Sequence, residues 1–140
     1  MNQVLFICTG NFYRSRFAEA LFNDRAAQHN LRWRAFSRGL AVKDQGDLSP
    51  HAREGLAGRG IALAHTASQP QDLSDHCLDS AQVIIALKEA EHRPLMQRRY
   101  PAWVDRISYW HVGDIDVWTP ERTLAHIDDR VKDLLMSLNP

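Results

Sequence analysis

Two residues with complementary chemistry, Cys8 and Arg14, lie six positions apart in the segment VLFICTGNFYRS. A thiolate can attack phosphorus and form a phosphocysteine intermediate, and a guanidinium can hold two phosphate oxygens with its planar fork. Gly10 permits backbone conformations that a Cβ would resist. Ser15 can donate a hydrogen bond to the sulfur and make it a better leaving group. The segment therefore predicts a phosphate-binding loop with a thiol nucleophile.

The residues on either side of this segment predict a strand before it and a helix after it. Val4–Ile7 is a short apolar run, typical of a strand buried on both faces, and Arg16–His29 has apolar residues at helical spacing. The loop between them can direct its N–H groups at one anion, and the helix N-terminus adds partial positive charge. We expect the whole loop after the cysteine to bind phosphate: Thr9, Gly10, Asn11, Phe12, Tyr13, Arg14 and Ser15.

The cysteine–arginine spacing is weak evidence when it is taken alone, because the chain is rich in arginine. The alternative is that Cys8 is only a small buried apolar residue. The strand before it, Gly-Asn within the loop, Ser15 after Arg14 and the following helix make the pattern specific.

The rest of the chain alternates between strand-like and helix-like segments. Further strands are predicted at Trp33–Ser37, Gln82–Leu87 and Arg106–Trp110. Helices are predicted from Ser49-Pro50 to near Gly58–Gly60, over Leu73–Leu78 and Glu89–Arg99, and from Thr119-Pro120 through Leu138, with Leu40–Leu48, Ile61–Pro70 and His111–Thr119 as irregular segments. Such alternation implies parallel β-α units. We expect one α/β domain over residues 1–140, with helices on both faces and the ligand site at the C-terminal ends of the strands.

Composition excludes several other classes of function. Lys+Arg and Asp+Glu are both 17 in 140 residues, so no basic field favours nucleic acid or a membrane surface. No apolar run approaches the roughly 20 residues of a membrane span. The N-terminus lacks the basic region of a secretory signal, so we expect a cytoplasmic protein. The scattered histidines and two cysteines predict neither a metal site nor a disulfide framework.

The segment VLFICTGNFYRSRFAEALF resembles the N-terminal signature of the low-molecular-weight protein tyrosine phosphatase family, roughly V-C-x-G-N-x-C-R-S-P-x-A-E-A. Weaker similarity continues through FSRG, GIALAHTASQ and QVIIALKEAE. The resemblance implies a three-layer αβα fold with a four-stranded parallel sheet and a phosphate-binding loop after the first strand. It also implies hydrolysis of phosphate monoesters by Cys8 and Arg14 without metal or other cofactor. The substrate would be a phosphorylated protein, with phosphotyrosine first and phosphoarginine or a sugar-assembly kinase also open, or a small phosphate ester.

A phosphatase of this kind also needs a carboxylic acid that protonates the leaving oxygen. In the family this acid is an Asp followed by Pro and an aromatic residue in a late loop. Here the segment YWHVGDIDVWTPE offers Asp114 and Asp116. The Trp-containing lead-in favours Asp114, with Ile115 in place of Pro, whereas Asp116 keeps an aromatic residue two positions on. Only one acid is needed, so we expect the other to be a solvated turn residue.

Four more residues are candidates for supporting roles. By the resemblance, Asn11, Ser37 and His65 match positions that hold the phosphate loop through hydrogen bonds. Trp118 would either line the site and stack on an aryl substrate or pack against the C-terminal helix.

The sequence departs from the family pattern at three positions. Tyr13 replaces a cysteine, and both Arg16 and Ile115 replace a proline. Arg16 would either contact an anionic substrate at the rim of the loop or be solvated. These departures keep open a phosphate- or phosphoprotein-binding module with little turnover. An arsenate reductase is a weaker alternative, because that chemistry needs further cysteines and only Cys77 remains. The sequence predicts no oligomeric state.

Overall fold

The chain forms a four-stranded parallel sheet. The computed structural model describes residues 1–43, 47–67 and 69–138, so the middle of the predicted loop Leu40–Leu48 and one position of Ile61–Pro70 lie outside the described residues. The strands are β1 (Asn2–Cys8), β2 (Trp33–Gly39), β3 (Val83–Ala86) and β4 (Ser108–Tyr109). Their order is β2-β1-β3-β4, and every pair is parallel. The predicted α/β class and four-stranded parallel sheet are confirmed.

Five α-helices connect and follow the strands. They are α1 (Arg14–Gln28), α2 (Pro50–Gly58), α3 (Asp75–Ser80), α4 (Glu89–Arg99) and α5 (Pro120–Ser137), with a short 3-10 turn at Leu63–His65. The predicted starts of α2 and α5 are correct, because the side chains of Ser49 and Thr119 cap them.

Several predicted elements are shifted or shortened in the structure, among them α1, which begins at Arg14 instead of Arg16, and β3, which covers four of the six predicted residues. Helix α3 begins two residues later than predicted, because the N–H of Leu73 donates to the carbonyl of Gly39 at 2.9 Å and extends the edge of the sheet. Strand β4 covers only two of the five predicted residues, since the N–H of Arg106 closes a turn onto the carbonyl of Trp103.

Helices cover both faces of the sheet, as predicted. Successive residues of β1 point to opposite faces. Val4 and Phe6 belong to a core with α1, α2 and α5, whereas Leu5 and Ile7 belong to a core with α3 and α4. This arrangement is the three-layer αβα architecture, and it buries β1 from Val4 to Cys8.

The C-terminal ends of the strands bring three segments together. The backbone N–H of Leu87 donates to the carbonyl of Ile7, that of Glu89 to Trp110, and that of Val112 to Leu87. The loop after β1, the start of α4 and the segment after β4 therefore meet at one edge of the sheet, where ligands bind in this class of fold. None of the helices in the described ranges is both long enough and apolar enough to span a bilayer.

Candidate active site

The loop after β1 surrounds the sulfur of Cys8. The side chain of Cys8 is buried, and the backbone N–H of Asn11 points at its Sγ at 3.2 Å. Asn11 has φ of 50°, a left-handed conformation that asparagine tolerates better than most residues. The end of β2 passes close to this loop at Gly39, where a Cβ would come within 2.8 Å of the carbonyl oxygen of Thr9. Glycine at position 39 lets the loop lie directly against the sheet.

Side-chain hydrogen bonds fix the loop from behind. Ser15 Oγ lies 2.8 Å from Cys8 Sγ. The amide Nδ2 of Asn11 donates to Ser15 Oγ and to Ser37 Oγ, both at 2.9 Å, and its Oδ1 accepts from the N–H of Gln71. Because Ser15 Oγ accepts from Asn11, its own hydrogen is free to point at the sulfur. The predicted neighbours Cys8, Asn11, Ser15 and Ser37 are thus brought together.

The buried carboxylate of Glu19 accepts from the other side of this network. Its Oε1 accepts from Ser37 Oγ at 2.6 Å and from Thr66 Oγ1 at 2.8 Å. Burial raises the pKa of Glu19, while these two hydrogen bonds and the charges of Arg16 and Arg38 oppose that rise. Sequence reasoning missed Glu19, although its place one turn into α1 indicates that it faces the loop.

His65 does not lie where we expected it. Its Nε2 is 3.6 Å from Asp24 Oδ1, and its backbone oxygen accepts from Asn23 Nδ2. The next residue, Thr66, makes the contact with Glu19 instead and so joins the network behind the loop. The 3-10 turn at Leu63–His65 directs the histidine toward the outer part of α1 and the threonine toward the network.

Arg14 is the first residue of α1, and its side chain is only 3% exposed. Nη1 donates to the backbone oxygen of Val112 at 3.1 Å, and Nη2 donates to Glu91 Oε2 at 2.7 Å. The same Nη2 lies 3.4 Å from Asp114 Oδ2. These contacts fix the guanidinium plane and leave further N–H groups for a bound oxyanion.

Sequence reasoning also missed Glu91 and His92, on the first turn of α4. Glu91 Oε2 accepts from the hydroxyl of Thr9 and lies 3.1 Å from His92 Nε2. Burial acts to raise the pKa of Glu91, but hydrogen bonds from His92, Arg14 and Thr9 hold it well below its usual range. His92 Nδ1 accepts from the N–H of Lys88, which places the ring proton on Nε2. Both residues could have been found from the topology, because α4 begins at the same edge of the sheet as the loop after β1.

Of the two candidate acids, the structure brings Asp114 to the loop. Asp114 lines a cavity of about 470 Å³ together with Cys8 and Arg14, and its Oδ1 accepts from the N–H of Ile115 at 2.9 Å. Asp116 is exposed and is not among the described residues that line this cavity.

The cavity above Cys8 has mainly apolar walls with a few polar groups. A larger cavity of about 650 Å³ lies elsewhere, between the end of α1 and α5, and the loop residues do not line it. The residues that line the cavity above the sulfur are Cys8, Thr9, Gly10, Phe12, Tyr13, Arg14, Ala41, Lys43, Ser49, Pro50, His51, Asp114 and Ile115.

Trp118 takes the second of its two expected positions, whereas Arg16 takes neither of its own. Trp118 packs beside α5, with its ring centroid 5.3 Å from that of His126 and the guanidinium of Arg122 4.1 Å above it, and it does not line the cavity among the described residues. Arg16 is neither solvated nor at the rim, since it is 2% exposed. Its guanidinium contacts Thr66 Oγ1 and the carbonyl of Ala67 behind the loop.

The arrangement matches known proteins in both sequence and fold. The sequence model of the low molecular weight phosphotyrosine protein phosphatase family matches residues 3–139. A protein-arginine-phosphatase of Bacillus subtilis is 32% identical over 104 residues, which cover 74% of this chain and 67% of that protein. The low molecular weight protein-tyrosine-phosphatase YfkJ of the same organism is 40% identical over 84 residues, covering 54% of this chain and 52% of YfkJ.

A solved structure supports the same relationship over the full length. The low molecular weight protein tyrosine phosphatase from T. tengcongensis superposes with a TM-score of 0.85 and 25% identity, covering 99% of this chain and 100% of that chain. These matches do not favour an arsenate reductase or a binding module without turnover. The chain belongs to the low molecular weight phosphotyrosine protein phosphatase family and is a cysteine-based phosphatase.

Proposed function

We propose that this phosphatase hydrolyses phosphotyrosine in proteins, with Cys8 as nucleophile, Arg14 as phosphate ligand and Asp114 as general acid. The proposal depends on the position of Arg14. Its side chain lies between the loop around Cys8 and Asp114, and its Nη2 is 3.4 Å from Asp114 Oδ2. A phosphate bound to Arg14 would therefore contact both reacting groups.

In the first step, Cys8 Sγ attacks phosphorus and the bond from phosphorus to the phenolic oxygen breaks. Asp114, in its protonated form, gives its hydrogen to that oxygen, so that a neutral phenol leaves. In the second step a water attacks phosphorus, Asp114 accepts its proton, and the phosphorus–sulfur bond breaks with its electron pair on sulfur. Ser15, 2.8 Å from Sγ, stabilises the departing thiolate by donating a hydrogen bond.

The cavity walls favour an aryl phosphate over other phosphorylated side chains. Phe12, Pro50 and Ile115 offer apolar surface to an aromatic ring. The nitrogen-linked phosphate of phosphoarginine carries a cationic guanidinium, but Lys43 and His51 line the cavity and Asp114 is its only lining carboxylate among the described residues. A cationic group near Lys43 would be repelled.

Phosphoarginine is the second candidate, because a relative with 32% identity is named a protein-arginine-phosphatase. The test is a metal-free assay, with a chelator present, on peptides of one sequence that carry phosphotyrosine, phosphoarginine or phosphoserine. We expect the highest kcat/KM for phosphotyrosine and inhibition by vanadate, with Cys8→Ser as the inactive control. A higher kcat/KM for phosphoarginine would select the second candidate, and binding of inorganic phosphate without turnover of any peptide would contradict both.

A further inference from the structure

The hydrogen-bond chain behind Cys8 does not end at Glu19 but continues to a buried arginine. Arg16 Nε donates to Thr66 Oγ1 at 3.1 Å, and Thr66 Oγ1 donates to Glu19 Oε1 at 2.8 Å. Arg16 is among the largest fully buried side chains of the described residues. Burying a cation costs free energy, so we expect Arg16 to make a contribution that offsets this cost.

The direction of each hydrogen bond in this chain follows from the charge of Glu19. An ionised carboxylate can only accept, and a hydroxyl has a single hydrogen to give. Ser37 and Thr66 both give that hydrogen to Glu19 Oε1. Ser37 Oγ is then left to accept from Asn11, and Thr66 Oγ1 is left to accept from Arg16.

The direction of the hydrogen bonds between Asn11 and the sulfur of Cys8 is fixed in the same way. The N–H of Gln71 donates to Asn11 Oδ1 and so fixes which way the amide faces. Both hydrogens of Nδ2 then point at Ser37 and Ser15. Ser15 can only accept from Asn11, and its hydrogen is directed at Cys8 Sγ. A neutral Glu19 could donate as well as accept, and the direction of the whole chain would no longer be determined.

Arg16 is well placed to keep Glu19 charged. The two residues lie three positions apart on α1, so they occupy the same face of the helix. Burial disfavours the charged carboxylate, while Arg16 and Arg38 are the cations whose charges favour it. Arg38 lies on β2 and is only half-buried, so Arg16 is the better shielded from solvent of the two.

We propose that Arg16 is a positioning residue that acts through Thr66 and Glu19 to keep the hydrogen of Ser15 directed at Cys8. The inference rests on the proposed phosphocysteine mechanism. It concerns the second step, in which a bond from water oxygen to phosphorus forms and the phosphorus–sulfur bond breaks. Ser15 stabilises the electron pair that returns to sulfur, so a chain without fixed direction slows this step more than the first.

This role predicts a characteristic kinetic change. When breakdown of the phosphocysteine limits turnover, slowing it further lowers kcat and KM by the same factor and leaves kcat/KM unchanged. We expect kcat and KM each to fall by about fivefold or more, because the hydrogen bond from Ser15 to the departing thiolate of Cys8 is weakened. A loss of structure would lower kcat/KM instead.

The sharpest test is the matched pair Thr66→Val and Thr66→Ser. Valine removes the hydroxyl at nearly the same volume, whereas serine keeps it. Arg16→Met removes the charge itself, and Arg53→Met, an exposed arginine on α2, is its control. For each variant we would measure kcat, KM, the burst of p-nitrophenol from p-nitrophenyl phosphate and, by intact mass, the fraction of phosphorylated enzyme.

We expect Thr66→Val and Arg16→Met to keep a full burst, to release p-nitrophenol more slowly after it and to show parallel decreases in kcat and KM, with Thr66→Ser and Arg53→Met behaving like the wild type. The Thr66 pair decides the matter if Arg16→Met does not fold. An active wild type together with an unchanged rate after the burst in Thr66→Val would overturn this inference alone, as would a lower kcat/KM in that variant. A wild type without turnover would overturn the proposed function and this inference with it.

Discussion

The loop around Cys8 and the loop that carries Asp114 face each other across the cavity, but they are built in opposite ways. Cys8, Asn11 and Ser15 are at most 3% exposed and are held by side-chain hydrogen bonds. In the acid loop, Asp114 is 38% exposed and Ile115 is 52% exposed. The proposed nucleophile, Cys8, is thus fixed before substrate arrives, whereas the proposed proton donor, Asp114, lies where a leaving group and a water can reach it.

Arg14 links the two regions. It contacts Val112 and Asp114 in the segment after β4, and Glu91 at the start of α4. The two loops therefore differ in how firmly they are held as well as in the reactive residue that each one carries. Substitutions in the fixed loop should remove activity outright, and those in the exposed loop should change its dependence on the leaving group.

The largest expected effect is that of Cys8→Ser. A serine hydroxyl is a far weaker nucleophile than a thiolate, so we expect kcat to fall by at least about 10⁴-fold. The measurement is p-nitrophenyl phosphate hydrolysis, with circular dichroism as a check of folding. More than trace activity in a folded Cys8→Ser protein would exclude this residue as the nucleophile.

The next largest effect belongs to the exposed loop. We expect Asp114→Asn to lower kcat by about 10²- to 10³-fold for aryl phosphates with poor leaving groups, because the departing phenolate is no longer protonated. The loss should shrink as the leaving group improves across a series of substituted phenyl phosphates. Asp116→Asn is the matched control and should resemble the wild type. The reverse pattern would assign the acid to Asp116.

Glu91 tests the link between the two loops. We expect Glu91→Ala to lower kcat/KM by about tenfold, because Arg14 and Thr9 lose the acceptor that orients them. Glu91→Gln keeps an oxygen acceptor and should lose less. The inhibition constant of vanadate, measured in parallel, reports on the phosphate site alone. Equal activity of wild type and Glu91→Ala would show that Arg14 is oriented by Val112 and the helix instead.

A smaller effect concerns pH and stability. Because the pKa of Glu91 is held below its usual range in the folded protein, its charge stabilises the fold above the ordinary glutamate value of about 4.3. That contribution is lost as the pH falls through the folded-state value. We expect Glu91→Gln to lower Tm by about 4 °C at pH 7 and by progressively less as the pH falls below about 4. A constant difference across pH would exclude this charge effect.

The sequence was most informative where structure and chemistry are local. The strand, the loop and α1 follow one another within the first 28 residues, so the apolar run, Gly10, Asn11 and the position of Arg14 could be interpreted together. The N-caps at Ser49 and Thr119 were predictable for the same reason.

Residues whose role depends on distant contacts were misplaced or missed. Arg16 looks like a solvated arginine until Thr66, 50 positions away, is placed beside it. Glu91 reads as a surface charge in the first turn of a helix, yet it lies 77 positions from Arg14 and contacts it directly. Trp118 was ambiguous because its partners lie on α5, whose position against the sheet is a tertiary property.

Tyr13 has a consequence for the chemical lifetime of the enzyme. Its ring is buried next to Arg14, where the family pattern has a cysteine, and the chain's other thiol, Cys77, belongs to the core on the opposite face of the sheet. A sulfenic acid formed on Cys8 would have no neighbouring thiol with which to form a disulfide, so further peroxide should carry it to the irreversible sulfinic acid. We expect dithiothreitol to restore little activity after peroxide treatment, and mass spectrometry to find two added oxygens on Cys8. A Cys8–Cys77 disulfide with full recovery of activity would contradict this expectation. If no such disulfide forms, each oxidised molecule stays inactive and only newly synthesised protein replaces it.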